Sequence, residues 1–438
     1  VLLLALAGSL AYWPGLVTWD SLRQYDQALS GEFDDWHPPI MEWLWRQFLP
    51  LAHSPAPMLL LQIGLYGCGF AMIFRAMSAD RRPGRALAIA CCALQPIMVA
   101  LMATIIKDSL MTGALLCAVG LVALAERGSG SRTMIGLSRA MALLLCLFAA
   151  ALRFNGFLAI VPVALWALPP RFRSNWRRGL VSTVVVTPLL VAAMPVANAL
   201  IGAERSDVQL SLVIFDLGGM TEYSGENLFP PLGIADPVAV NHRCYTPVKW
   251  DSYSWWVDHL CPINFDRVRR YVHDHHVSPV RLWLSAIVHH PLAYLEHRAS
   301  HWNINARFLV TKEVERPVQV EAPPNEWHFA VTPNAGVKIV DAAALASAHS
   351  PLGWPWFWMA AMAVLLWSRR RRPYDMVSML AASALLYGLG YAIVSVASEL
   401  RYYLWTMCAG SIALILAFTD SRAKASVPIR QRETRECL

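Results

Sequence analysis

Apolar runs broken by short polar stretches organise most of this chain. Ten of them stand out, at about residues 1–17, 57–74, 86–106, 109–125, 140–152, 156–169, 180–201, 352–368, 375–397 and 403–419. The longer ones reach the roughly 17 to 25 residues that a helix needs to cross about 30 Å of hydrocarbon. The pattern predicts an all-α polytopic membrane protein with about ten transmembrane helices, the pair on either side of Arg153 being the shortest. No repeat period marks a solenoid or a propeller.

Two regions break this rhythm. Tyr12 to Leu49 sets Asp20, Asp26, Glu32, Asp34, Asp35, His37 and five tryptophans directly after the first apolar run. Polar groups this dense are costly beside a bilayer unless they bind something or do chemistry. DSLRQYDQALSGE reads as a short interfacial helix. Pro38 biases His37 away from helical geometry, and a proline is tolerated in the first turn of a second amphipathic piece, PIMEWLWRQFL. The other region, 202–350, is the one long polar loop, mostly helical or irregular, rich in Trp, Tyr, His, Pro and Asn. Helices are expected there at Phe265–His276 and Pro279–Arg298, the second amphipathic and lying on the membrane surface with Trp283 at the interface. The chain thus divides into a seven-span module at 1–201 whose first outer loop is 18–56, the large loop at 202–350, three C-terminal spans at 351–420, and a polar tail at 421–438 expected to be disordered.

Composition agrees with the pattern: 56% of residues are hydrophobic, 15% are charged, and the mean hydropathy is +0.41. The net charge of +7 does not indicate nucleic acid, because the cations cluster in short loops between spans, where topology signals sit. Arg75, Arg81, Arg82 and Arg85 follow the second span, Arg127, Arg132 and Arg139 the fourth, Arg171, Arg173, Arg177 and Arg178 the sixth, and Arg369 to Arg372 the eighth. The tail adds Arg422, Lys424, Arg430, Arg432 and Arg435, so both termini are expected on the cytoplasmic side and loop 202–350 on the other. Cys68, Cys91, Cys92, Cys117, Cys146 and Cys408 fall within spans as buried thiols, whereas Cys244 and Cys261 share the exported loop and are expected to form a disulfide. The chain opens on VLLLALAGSL without a methionine, so preceding cytoplasmic residues are expected to be missing; no small-residue cleavage site marks a signal peptide.

The outer turns are nearly stripped of cations. Arg23 and Arg46 stand in the first loop, and Lys107, Arg153 and Arg401 stand one to a turn in IKDS, LRFNG and SELRYY. One such cation could simply snorkel to the interface. Three on one face, opposite a loop crowded with carboxylates, suggest a ring around an anionic headgroup, with Asp108, Glu399 and Tyr402 beside them. Asp20 near the start of its helix has two readings, a capping carboxylate and a general base. Asp35 and His37 either form a solvated turn or hydrogen-bond a phosphate or sugar hydroxyl. Trp36, Trp255, Trp256 and Trp302 lie outside spans and could stack on sugar rings. No Walker loop, HExxH or paired CxxC is present, and the spacings of His273, His275, His276, His289 and His290 match no standard metal site.

Asp20 in WDSLRQY, the Asp35-Trp36-His37-Pro38-Pro39 turn and Glu399-Leu400-Arg401-Tyr402 together resemble the GT-C superfamily of polyprenyl-phosphate-dependent membrane glycosyltransferases, near the aminoarabinose and protein O-mannosyl branches. The resemblance is best over the first 200 residues. It implies a bacterial inner-membrane enzyme, active on the periplasmic side, that moves a sugar from a polyprenyl-phosphate carrier to a hydroxyl of a glycan or lipid acceptor, with inversion. Asp20 would be its catalytic base or, in metal-using relatives, a ligand, which leaves a divalent metal (Mg or Mn) open as cofactor, with Asp34, Asp35 and Asp108 the nearest further carboxylates. Lys107, Arg153 and Arg401 match that family only in location. Expected partners are the lipid-linked donor, the acceptor and membrane lipids, with no nucleic acid. The alternatives are a transporter or flippase of a lipid-linked saccharide, and a non-enzymatic membrane scaffold.

Overall fold

The computed structural model describes residues 2–78, 83–128, 130–257, 261–310 and 321–425; Arg81, Arg82 and the tail beyond residue 425, which entered the charge and disorder expectations above, lie outside them. Every regular element among these residues is a helix. The first part of the chain forms α1 (Leu2–Leu10), α2 (Trp19–Ser30), α3 (Ile40–Phe48), α4 (Ala56–Ser78), α5 (Pro83–Cys92), α6 (Pro96–Ala103), α7 (Lys107–Glu126), α8 (Arg132–Ala151), α9 (Gly156–Ala167) and α10 (Trp176–Ile201). A polar domain follows with α11 (Gln209–Ser224), α12 (Pro237–Cys244), α13 (Phe265–Asp274), α14 (Pro279–His289), α15 (Pro291–Asn305) and α16 (Ala335–Ala348). Three apolar helices close it: α17 (Pro355–Ser368), α18 (Met376–Val394) and α19 (Leu404–Ala425).

Among the described residues, six helices are long and apolar enough to cross a membrane: α4, α7, α8, α10, α18 and the stretch Leu400–Thr419 that includes most of α19. Several expected spans differ from this. In the run at 1–17 the described helix, α1, ends at Leu10, after which the chain turns out. The run at 86–106 is broken between α5 and α6 and bent by 49°, and Gln62 donates to the carbonyls of Met102 (2.7 Å) and Thr104 (2.8 Å) at the far end of α6. The runs after Arg153 and before Arg369 give shorter helices, α9 and α17. Conversely α8 begins at Arg132, so Arg139 lies inside it. Its guanidinium meets Glu126 at 2.5 Å and donates to the carbonyls of Trp166, Ala167 and Leu168, which satisfies the end of α9.

α7 is the central post of the bundle and is buried along most of its length. It lies close along α4 because glycines face the contact: a Cβ on Gly69 would fall 2.5 Å from Leu116 Cβ, and one on Gly120 2.7 Å from Met72 Cβ. One apolar core joins these helices to α18 and α19. A second core, built on Leu210, Ile214, Phe215, Leu217 and Met220 of α11, belongs to the polar domain.

The helix expected at Pro279–Arg298 is two helices, because His290-Pro291 interrupts the backbone ladder. Trp283 turns toward the polar domain, its indole donating to Asp216 at 2.6 Å. The exposed apolar residues of this hairpin are Val280, Leu284, Val288, Leu292 and Leu295. Cys244 and Cys261 are joined by a disulfide that closes 17 residues of sequence.

Candidate functional site

Three isolated backbone bridges stitch the site together. Leu16 pairs with the break after α6: its N–H donates to Ala103 and its carbonyl accepts from Ile105 at 2.8 Å. Ser21 adds a hydroxyl bond to the Ile105 carbonyl at 2.5 Å, so α2 is seated over the start of α7. Asp34 bridges Glu204, tying the first loop to the polar domain, and Lys249 bridges Ala397, tying that domain to the turn before α19. Residues far apart in sequence are thereby brought to one end of the bundle.

Asp20 is not the helix cap. Thr18 caps α2, accepting from the Ser21 N–H at 3.2 Å while the Thr18 N–H donates to Ser21 Oγ. The Asp20 carboxylate is left for other partners. Its Oδ2 lies 2.9 Å from Arg401 Nη1, its Oδ1 lies 3.7 Å from His37 Nε2, and its side chain keeps 28% exposure. Lys107, the first residue of α7, sets Nζ 2.7 Å from His37 Nδ1. A charged ammonium can only donate, so Nδ1 accepts and Nε2 carries its proton toward Asp20. Arg401 also pairs with Glu399.

Arg153, between α8 and α9, extends the cluster. Its Nη1 lies 3.3 Å from both Asp108 oxygens, and Nη2 donates to the Tyr391 hydroxyl at 2.7 Å, which donates on to Tyr387. Tyr402 stacks on Tyr391 with ring centroids 5.1 Å apart, and both Arg153 (4.9 Å) and Arg401 (5.6 Å) lie over its ring. The aromatic ring spaces two guanidiniums that would otherwise repel.

The charges follow from these neighbours. Burial alone would raise the Asp20 carboxyl, but Arg401, His37 and Lys107 hold it well below the usual carboxylate range. Burial and the Lys107 charge push His37 down to about 3, against the pull of Asp20, so the imidazole is neutral at physiological pH. Burial raises the Glu399 carboxyl against the pull of Arg401.

Asp20, His37, Lys107, Asp108, Arg153, Glu399, Arg401 and Tyr402 therefore form one connected network. Asp35 takes a different place: its Oδ1 accepts from the Ser206 N–H (2.7 Å) and hydroxyl (2.6 Å), a tether to the polar domain. The other first-loop cations are structural as well. Arg23 pairs with Asp34, and Arg46 donates to the carbonyls of Ala28 (2.7 Å) and Leu29 (2.9 Å), closing the C-terminal end of α2.

Sequence reading passed over Glu42. It is 1% exposed, its Oε2 has no hydrogen-bond partner, and burial pushes its carboxyl up to about 8. The signal was an acid three residues before Trp45 on the apolar face of PIMEWLWRQFL. Tyr387 and Tyr391, one helical turn apart, were likewise read only as span.

The site does not fit a divalent metal. Asp20, Asp108 and Glu399 each face an arginine, and no group of three or more His, Cys, Asp or Glu side chains among the described residues is arranged as a ligand set. No protein-family model, curated protein or solved structure matches this chain.

Proposed function

We propose that this protein is a GT-C-like glycosyltransferase of the bacterial inner membrane. It would take a sugar from a polyprenyl-phosphate carrier and transfer it, with inversion, to a hydroxyl of a glycan or lipid acceptor on the periplasmic face. In this reading α1, the bent α5–α6 pair, α9 and α17 complete a ten-span arrangement with the six long helices, and the polar domain lies in the periplasm. The observation that carries the reading is the Asp20–Arg401 pair at 2.9 Å, set among Lys107, His37 and Arg153.

The chemistry needs one base and one phosphate site. The acceptor hydroxyl gives its proton to Asp20 as its oxygen bonds to the sugar C1. The C1–O bond to the carrier breaks, and the polyprenyl phosphate leaves with the electron pair. Arg401, Lys107 and Arg153 meet the charge that develops on it, aided by the positive end of α7. His37 Nε2 stands too far from Asp20 for a direct hydrogen bond, so an acceptor hydroxyl can be held between them. The ionisable residues sit at helix ends rather than at midspan, where a transporter's substrate groups belong. The test is Asp20→Asn: transfer of a labelled sugar from a polyprenyl-phosphate-sugar extract should fall by about 10²- to 10⁴-fold in a protein that still folds. Wild-type transfer by this variant refutes the assignment.

A further inference from the structure

We propose that the aromatic cluster centred on Trp36 is the acceptor subsite and that the acceptor is a pyranose glycan; this rests on the transferase reading and names its second substrate. Trp36 meets Trp255 (4.7 Å between centroids), Trp256 (5.7 Å) and Phe265 (5.5 Å) edge to face, and lies tilted to Trp250 at 5.9 Å. Trp250 and Phe265 are buried, whereas Trp255 is 37% and Trp256 47% exposed. Leaving two indoles in water forgoes the gain that burying them would bring, so packing alone does not ask for them there.

The cluster is tied to the site at two points. Trp36 directly precedes His37, about 3.8 Å away between Cα atoms. The Trp250 N–H donates to the Val396 carbonyl at 2.9 Å, three residues before Glu399. The exposed indoles are thus attached to both of the segments that bring His37 and Arg401 to Asp20. Polar groups flank the cluster along the chain: the Trp36 backbone N–H donates to Asp34, which pairs with Arg23, and Lys249 and Asp251, on either side of Trp250 in sequence, face each other at 3.6 Å. A pyranose ring matches this surface, with C–H faces for the indoles and hydroxyl edges for carboxylate, guanidinium and ammonium groups. A lipid chain calls for the aliphatic surface that α14 and α15 carry instead, on Val280, Leu284, Val288, Leu292 and Leu295.

The test uses the full chain in phosphatidylglycerol nanodiscs, with cellohexaose, mannohexaose and chitohexaose as calorimetric probes. At least one should bind, Trp255→Ala with Trp256→Ala should weaken it at least tenfold, and Trp256→Phe should keep most of the affinity. The subsite is overturned if none of the three binds, if the double variant binds like wild type, or if brominated lipids quench these indoles, which would make them membrane anchors. Undecaprenyl phosphate binding separates the two readings. Its retention with no glycan binding removes the subsite alone, and its absence in the wild type removes the transferase reading with it.

Discussion

Arg401 Nη1 lies 2.9 Å from Asp20 Oδ2, so a cation of the site and its candidate base neutralise each other. A carboxylate held this far below its usual range is a weak base. A lipid phosphate arriving at Arg401 would compete for that guanidinium and return basicity to Asp20. Proton abstraction would then be available only with donor in place, which guards against idle chemistry.

Arg153→Lys should keep the charge and lose the function of the fork. Lysine cannot span Asp108 and the Tyr391 hydroxyl while lying over Tyr402. Stability should fall by about 1 to 3 kcal/mol, and transfer at least tenfold. Thermal unfolding and a transfer assay on the same preparation check both.

Glu42→Gln should flatten the pH dependence of stability. The group's pKa rises from an ordinary 4.5 to about 8 on folding, so its contribution is complete below about 4.5 and is lost as the pH rises through about 8. His37 has the opposite sign, destabilising only as the pH falls from 6.5 toward about 3. Between pH 6.5 and 8 the wild type should therefore lose up to about 1.4 kcal/mol per pH unit that the variant does not, measured by denaturation at each pH. Parallel curves would contradict it.

Gly219→Ala should loosen the site from a distance. A Cβ there would fall 2.0 Å from His297 Nδ1, in the buried group where Asp216 meets His297 (3.0 Å) and Arg298 (2.5 Å). Arg298 and Asn305 of the same helix hold Ser395, at the start of the segment leading to Glu399 and Arg401. A cost of roughly 1 to 3 kcal/mol is expected, with faster hydrogen exchange across 395–401. Unchanged exchange there would show that the polar domain does not brace the turn.

What could be read from sequence was whatever opposed a bias. Lys107, Arg153 and Arg401 stood out because cations were scarce on their face, and Asp20 because carboxylates are costly beside a bilayer. Asp35 was misleading, since its partner Ser206 lies 171 residues on and no local pattern foretells such a tether. Glu42 was hidden among apolar neighbours, and α11 escaped notice because an apolar run holding Asp216, Gly218 and Gly219 has no clear period. Hydropathy reports apolarity but not helix continuity, so the break at Gln95-Pro96 inside the run 86–106 was not legible.

The most direct measurement is the affinity of undecaprenyl phosphate for three proteins in nanodiscs: wild type, Asp20→Asn and Arg401→Gln. If Asp20 and the phosphate compete for one guanidinium, the two substitutions act in opposite directions, Asp20→Asn tightening binding several-fold and Arg401→Gln weakening it at least tenfold. Binding indifferent to both residues, or weakened alike by both, would contradict a shared base and phosphate site.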